Sequence, residues 1–121
     1  MAYEYDPTDL TAIQESTPIY SGSSETDVIF QAGYLPPEAA GIAWCDDAIS
    51  LSVCDQHYAK FNTDSPTYAV TCHETGHTVG LTHGANASPS QSDYTSDLGC
   101  MGTANQNTVG SHNQSQINST Y

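Results

Sequence analysis

A chain of 121 residues with a formal charge of −13 has room for one domain around one core. The charge reflects missing bases: Asp and Glu total 14, while Lys60 is the only lysine or arginine. Nothing is available to neutralise phosphates, which excludes a nucleic-acid or anionic-lipid partner. No run of 18 apolar residues exists to span a membrane.

The first 40 residues carry short signals. Ala2–Tyr5 predicts a brief strand, and Thr8 or Asp9 caps a helix through Ser16 with Leu10 and Ile13 on its inner face. Pro18-Ile19-Tyr20 and Asp27-Val28-Ile29-Phe30 read as two strands split by the turn-rich Ser21-Gly22-Ser23-Ser24. Pro36-Pro37 closes the next loop. Gly41–Cys45 and Ile49–Cys54 then form a hairpin with Asp46-Asp47-Ala48 as its turn.

Four cysteines allow three pairings. Cys45–Cys54 with Cys72–Cys100 is the pairing this reading takes, since the first would tie the two hairpin strands together. Reduced thiols in a cytosolic chain and thiolate metal ligands are the alternatives. Paired cysteines point to an oxidising compartment. The acidic Met1–Asp6 segment has no apolar leader core, so the expectation is a mature secreted domain whose leader has been removed.

Ser65 as N-cap and Pro66 at the first helical position start a helix running to Val79. It carries His73 and His77, four apart and therefore on one face, where both can reach one metal ion. Glu74 between them has the place of a general base. His83 completes a wider pattern, but in an unbroken helix it would lie about 9 Å beyond His77 along the axis. It joins the others only if the chain turns back, and Gly80 is the residue that permits positive φ there. Chance would match all five positions in about one of fifty thousand chains of this composition.

Residues 84–111 are rich in Gly, Ser, Asn, Gln and Thr and predict a long irregular segment. A last helix starts at Ser111, with Ser111 and Gln114 as a capping box and Ile117 and Tyr121 on one face. His57 and His112 have no ligand spacing and read as ordinary polar residues. Asp46, Asp47 and Asp55, or Asp93 and Asp97, are candidate calcium ligands without a regular calcium-loop pattern. Asn86, Asn113 and Asn118 open N-x-S/T triplets, which carry meaning only in a eukaryotic secretory pathway.

His73, Glu74, His77, Gly80 and His83 in the order HExxHxxGxxH resemble the signature of the metzincin metalloproteases, and Met101 in Gly-Cys-Met-Gly resembles that clan's Met-turn. The order of elements is similar to the matrixin branch, and bacterial secreted matrixin-like proteins are the nearest likeness. The chain departs from that pattern at Gly84, where matrixins usually carry Ser, and at Gly102-Thr103, which leaves out the zinc-assisting tyrosine of the astacin and serralysin branches.

The resemblance implies an α+β domain over residues 1–121. A small mixed sheet and an active-site helix occupy 1–80, and a C-terminal subdomain with Met-turn and last helix occupies 81–121. It implies Zn2+ on His73, His77 and His83, Glu74 as general base, and Met101 as the floor beneath the ligands. The implied activity is that of a secreted, monomeric endopeptidase cleaving an extended polypeptide. Gly41–Cys45 would serve as the substrate-pairing edge, and the loop from Gly102 to Gly110 would line a specificity pocket. A peptidase with a narrow processing role and an inactive zinc-bound module are the competing readings.

Overall fold

The computed structural model describes Tyr5, residues 8–102 and residues 106–121. Its architecture is a small α+β one, with a mixed three-stranded sheet and two α-helices. Strands β1 (Val28–Ala32), β2 (Gly41–Ser50) and β3 (Val53–Phe61) lie in the order β1-β3-β2. β1 runs parallel to β3 and β2 antiparallel to it, with Ala43 opposite Ala59 and Gly41 opposite Phe61. Ile29, Ala59 and Phe61 are buried, and Phe30 stacks on Phe61 with ring centroids 6.1 Å apart. β2 is an edge strand, and helix α1 (Tyr68–Thr78) packs across β2 and β3.

The hairpin is longer than its expected outline. The chain reverses at Leu51-Ser52, not at Asp46-Asp47-Ala48, and β3 continues past Cys54 to Phe61. The aspartates resemble turn formers, but register shifts between Cys45 and Ser50 absorb them as irregularities within the strand. Cys54 therefore does not face Cys45 in the ladder. The bulged backbone still brings their Cα atoms to 5.8 Å, and the expected disulfide forms.

The N-terminal expectations fare worse. Of the Ala2–Tyr5 strand only Tyr5 lies within the described residues, and it is helical. No helix forms over Thr8–Ser16 and no strand over Pro18–Tyr20. Thr8 instead turns back, its hydroxyl donating to Tyr5 O and accepting from Leu10 N. Ile13 is 84% exposed, so the inner face that a helix needs does not exist. Ile19 and Thr26 close a local loop through Thr26 N–H to Ile19 O at 3.0 Å, and Gln56 Nε2 holds that loop by donating to Ile19 O and Thr26 O.

Beneath α1, on the side away from the sheet, lies the second apolar cluster: Tyr5, Cys72, Leu81, Leu98, Cys100, Met101, Val109 and Ile117. The segment from 84 to 110 is irregular, as its composition predicts, with short 3-10 turns at Gly84–Asn86 and Ser96–Leu98. Its few apolar side chains are the ones that anchor it. Leu98, Met101 and Val109 are essentially solvent-free, each contributing about 1.5–3 kcal/mol of burial. Gly84 is confined in this segment, because a Cβ there would meet Gln91 O at 2.7 Å and Leu98 Cδ1 at 2.7 Å. A serine has no room at this position without displacing these atoms.

Helix α2 (Ser111–Thr120) closes the cluster with Ile117. The expected capping box is absent. Gly110 is the N-cap, and Gln114 Nε2 donates to Val109 O instead. Tyr121 is 67% exposed and does not share the buried face of Ile117. Asn113 is 3% exposed and its side-chain amide donates to Leu98 O, so the first residue of that N-x-S triplet serves the core.

The second disulfide, Cys72–Cys100, ties α1 to the loop beneath it with Cα atoms 5.9 Å apart over a separation of 28 residues. By the chain-entropy model its loop is worth about 3–4 kcal/mol, against about 2.5–3 kcal/mol for the shorter Cys45–Cys54 loop. Replacing Cys72 and Cys100 together with alanine is expected to lower the denaturation midpoint more than the same change at Cys45 and Cys54. Equal losses in urea melts of the two double variants would show that the α1 crosslink has no special weight.

Candidate metal centre

Helix α1 begins two residues later than its proline suggests. Thr67 is the N-cap, its hydroxyl accepting from Val70 N–H, and Ser65 and Pro66 precede it. The helix ends in a Schellman arrangement: Leu81 N–H donates to Gly76 O at 2.9 Å and Gly80 N–H to His77 O at 3.2 Å. Gly80 has φ 86°, the left-handed conformation that only glycine adopts without strain. The chain leaves the helix there and turns back, carrying His83 to the face shared by His73 and His77.

The three imidazoles meet edge to edge. His73 Nε2 lies 3.2 Å from His77 Nε2 and 3.1 Å from His83 Nε2, and one ligand atom from each falls within 4.8 Å of the others. What each ring does with its second nitrogen decides the meaning of these distances. His73 Nδ1 is 2.8 Å from Cys100 O, and His77 Nδ1 is 2.9 Å from Leu81 O. A carbonyl oxygen only accepts, so each Nδ1 carries the hydrogen and each Nε2 presents a lone pair. Two lone pairs 3.2 Å apart repel unless a cation sits between them. The three histidines could hold a metal ion, and backbone carbonyls orient two of the rings. Burial lowers the pKa of His73 and His77, which the carbonyl contacts oppose and the neighbouring imidazoles reinforce. Both rings are thereby kept in the neutral, ligating form.

Glu74 leaves the helix on the side facing β2. It is 7% exposed, and a Cβ at Gly41 would meet its Cγ at 2.7 Å. Burial raises its pKa, with His77 and His83 pulling the other way. A groove of about 640 Å³ runs past Glu74 and His73, walled by the approach to β2 (Glu38–Gly41) on one side and by α1, Cys100 and Gly102 on the other. Met101 lies beneath α1, where its Sδ occupies the space a Cβ on Gly76 would fill. Tyr5 pins the same helix by donating its hydroxyl to Cys72 O at 2.8 Å.

His73, His77 and His83 are thus brought together, Met101 packs beneath the same helix at Gly76, and both expected cysteine pairs form. The calcium candidates are not gathered: among the described residues the histidine triad is the only group of three or more potential ligands. Asp93 instead accepts from Ala85 N–H, and Asp97 from the Ser111 hydroxyl. His57 sits on β3, where burial lowers its pKa and Asp27 opposes the shift. Of the loop expected to line a specificity pocket, residues 103–105 fall outside the described residues. The carbonyl acceptors at Leu81 and Cys100 and the groove wall at Glu38–Ala40 escape a reading of the sequence, since backbone acceptors leave no residue-type signal. No protein family model, curated protein or solved structure matches the chain.

Titration of the metal-free protein with Zn2+ as a probe is expected to saturate at about one equivalent. Alanine at His73, His77 or His83 is expected to weaken binding by at least 100-fold, more than the 10- to 100-fold typical of a supporting contact. The pH sense follows from burial. A lowered imidazole pKa means that protons compete with the metal only at lower pH than at a free histidine, whose pKa is about 6.5. Release followed with a chromogenic chelator is therefore expected to begin below pH 6.5, and a midpoint above that value would contradict the assignment.

Proposed function

We propose that the chain is a zinc-dependent endopeptidase of the metzincin kind, working in an oxidising, extracellular setting. The observation that carries this reading is the convergence of three imidazoles, two of them with their Nε2 lone pairs turned inward, beside a carboxylate that borders the groove at His73. Tetrahedral zinc with Zn–N bonds of about 2.0–2.1 Å separates its nitrogens by about 3.3–3.4 Å; the 3.1 and 3.2 Å spacings here are close to that requirement. His73, His77 and His83 would hold the ion and leave one position open. When bound, zinc polarises a carbonyl oxygen and lowers the pKa of a water molecule.

The chain's own groups supply the rest of the chemistry. Glu74 accepts a proton from the attacking water and delivers it to the departing amine nitrogen, so that one carboxylate serves as base and then as acid. Its burial favours this return, because a carboxyl pushed above its ordinary range holds the proton long enough to pass it on. β2 supports the substrate side of the reading. It pairs with β3 on one edge only, leaving the other edge from Gly41 toward Cys45 for main-chain pairing with an extended polypeptide. Gly41 is also the residue against which Glu74 packs, so a strand added there passes the proton acceptor. Two disulfides agree with the proposed setting. A zinc-bound module without catalysis would have no use for a half-desolvated carboxylate beside its ligands.

The zinc-loaded protein is expected to cleave unfolded casein and to stop on addition of a chelator. Glu74→Gln keeps the volume and removes the base. It is expected to retain one zinc while losing about 10²- to 10⁴-fold in kcat/KM. Cleavage by that variant at the wild-type rate would refute the mechanism.

A further inference from the structure

We infer that Glu38 makes the groove beside the metal centre selective for a cationic side chain, so that the preferred substrates are polypeptides with lysine or arginine next to the cleaved bond. The inference rests on the peptidase reading and deepens it. Among the described residues, Glu38 and Glu74 are the only acidic side chains lining the groove, and no lysine or arginine lines it. Glu74 is committed to the proton, which leaves Glu38 as the fixed charge. Its position is defined: Ala39 N–H donates to Pro36 O at 2.9 Å, making Glu38 part of a turn, and Asn62 anchors the following residues through bonds to Ala40 O and Ala39 O. The remainder of that wall and the facing helix present Ala39, Ala40, Ala69 and Val70.

Small apolar lining with one carboxylate at the rim suits a long side chain with an apolar stem and a charged head. The stem covers alanine surface while the head stays at the solvent edge beside the carboxylate. An acidic substrate residue would meet Glu38 and the field of a chain with net charge −13, and like charges in a groove are disfavoured. Lys60, the single base of the chain, lies on β3 over Gly33 and is not part of this wall. The same field draws cationic chains toward the protein at low ionic strength and fades as salt screens it.

The test uses the zinc-loaded protein and a peptide series with lysine, norleucine or glutamate placed in turn at the three positions on each side of the cleaved bond. At one position lysine is expected to exceed norleucine by about fivefold in kcat/KM at low salt, the upper range for an exposed ion pair. The advantage is expected to vanish in Glu38→Gln, to invert toward glutamate in Glu38→Lys, and to shrink in wild type at 0.5 M salt. Zinc content near one equivalent in both variants shows that the centre is intact. The same lysine-to-norleucine ratio in wild type and Glu38→Gln overturns the inference while leaving the peptidase reading in place. Failure to cleave any peptide in the series overturns the peptidase reading itself, and the inference with it.

Discussion

Two backbone carbonyls decide what the histidines can do. Cys100 O and Leu81 O each hold an Nδ1 hydrogen, and that choice leaves the Nε2 lone pairs of His73 and His77 pointing at one another. Neither carbonyl belongs to α1. Leu81 lies past the glycine that ends the helix, and Cys100 belongs to the irregular segment beneath it. The metal centre therefore depends on chain that arrives after the helix is complete. Gly80 links these events, since the turn it permits positions both Leu81 O and His83.

The core around the site has the same logic. Leu81 is buried in the apolar cluster by its side chain and holds His77 by its carbonyl. Cys100 is crosslinked to α1 by its sulfur and holds His73 by its carbonyl. Met101, the next residue, fills the space under Gly76. Packing, covalent constraint and ligand orientation thus act through the same few residues. Loosening the cluster would let the imidazoles rotate as well as cost burial energy. A small protein with a long irregular segment has few apolar side chains to spend, and most of those in this segment lie under the ligand helix.

Much of this was legible in the residues. The i, i+4 histidines with Glu74, the glycine stop and His83 specify helix, break and return, because each rests on local geometry. The cysteine pairing and the α+β class followed as expected. The hairpin outline did not, because aspartates at 46 and 47 carry a turn composition that the bulged strand tolerates. The strand at Val28 formed as expected, but the segment before it was misread for a different reason: Leu10 and Ile13 have helical spacing, yet Ile13 is left exposed. The capping pair Ser111 and Gln114 matched a motif that does not form: Gly110 is the N-cap, Gln114 N–H donates to Gly110 O, and the Gln114 side-chain amide donates to Val109 O. Local patterns succeed where the local constraint is stronger than the tertiary one.

The electrostatics of the whole chain bear on the metal as well as on the substrate. Three neutral imidazoles contribute no charge, so a divalent ion bound to them keeps its full formal charge apart from Glu74 nearby. In a chain of net charge −13 that ion sits in a negative field, which favours its retention. Without a cation, the facing lone pairs of His73 and His77 are a cost of the folded state, and burial disfavours the ionised form of Glu74 against the pull of His77 and His83. Any ion that binds the folded chain and not the unfolded one adds its binding free energy to stability. Bringing His73, His77 and His83 together thus creates a repulsion that a bound cation would relieve, which couples ion binding at this cluster to folding.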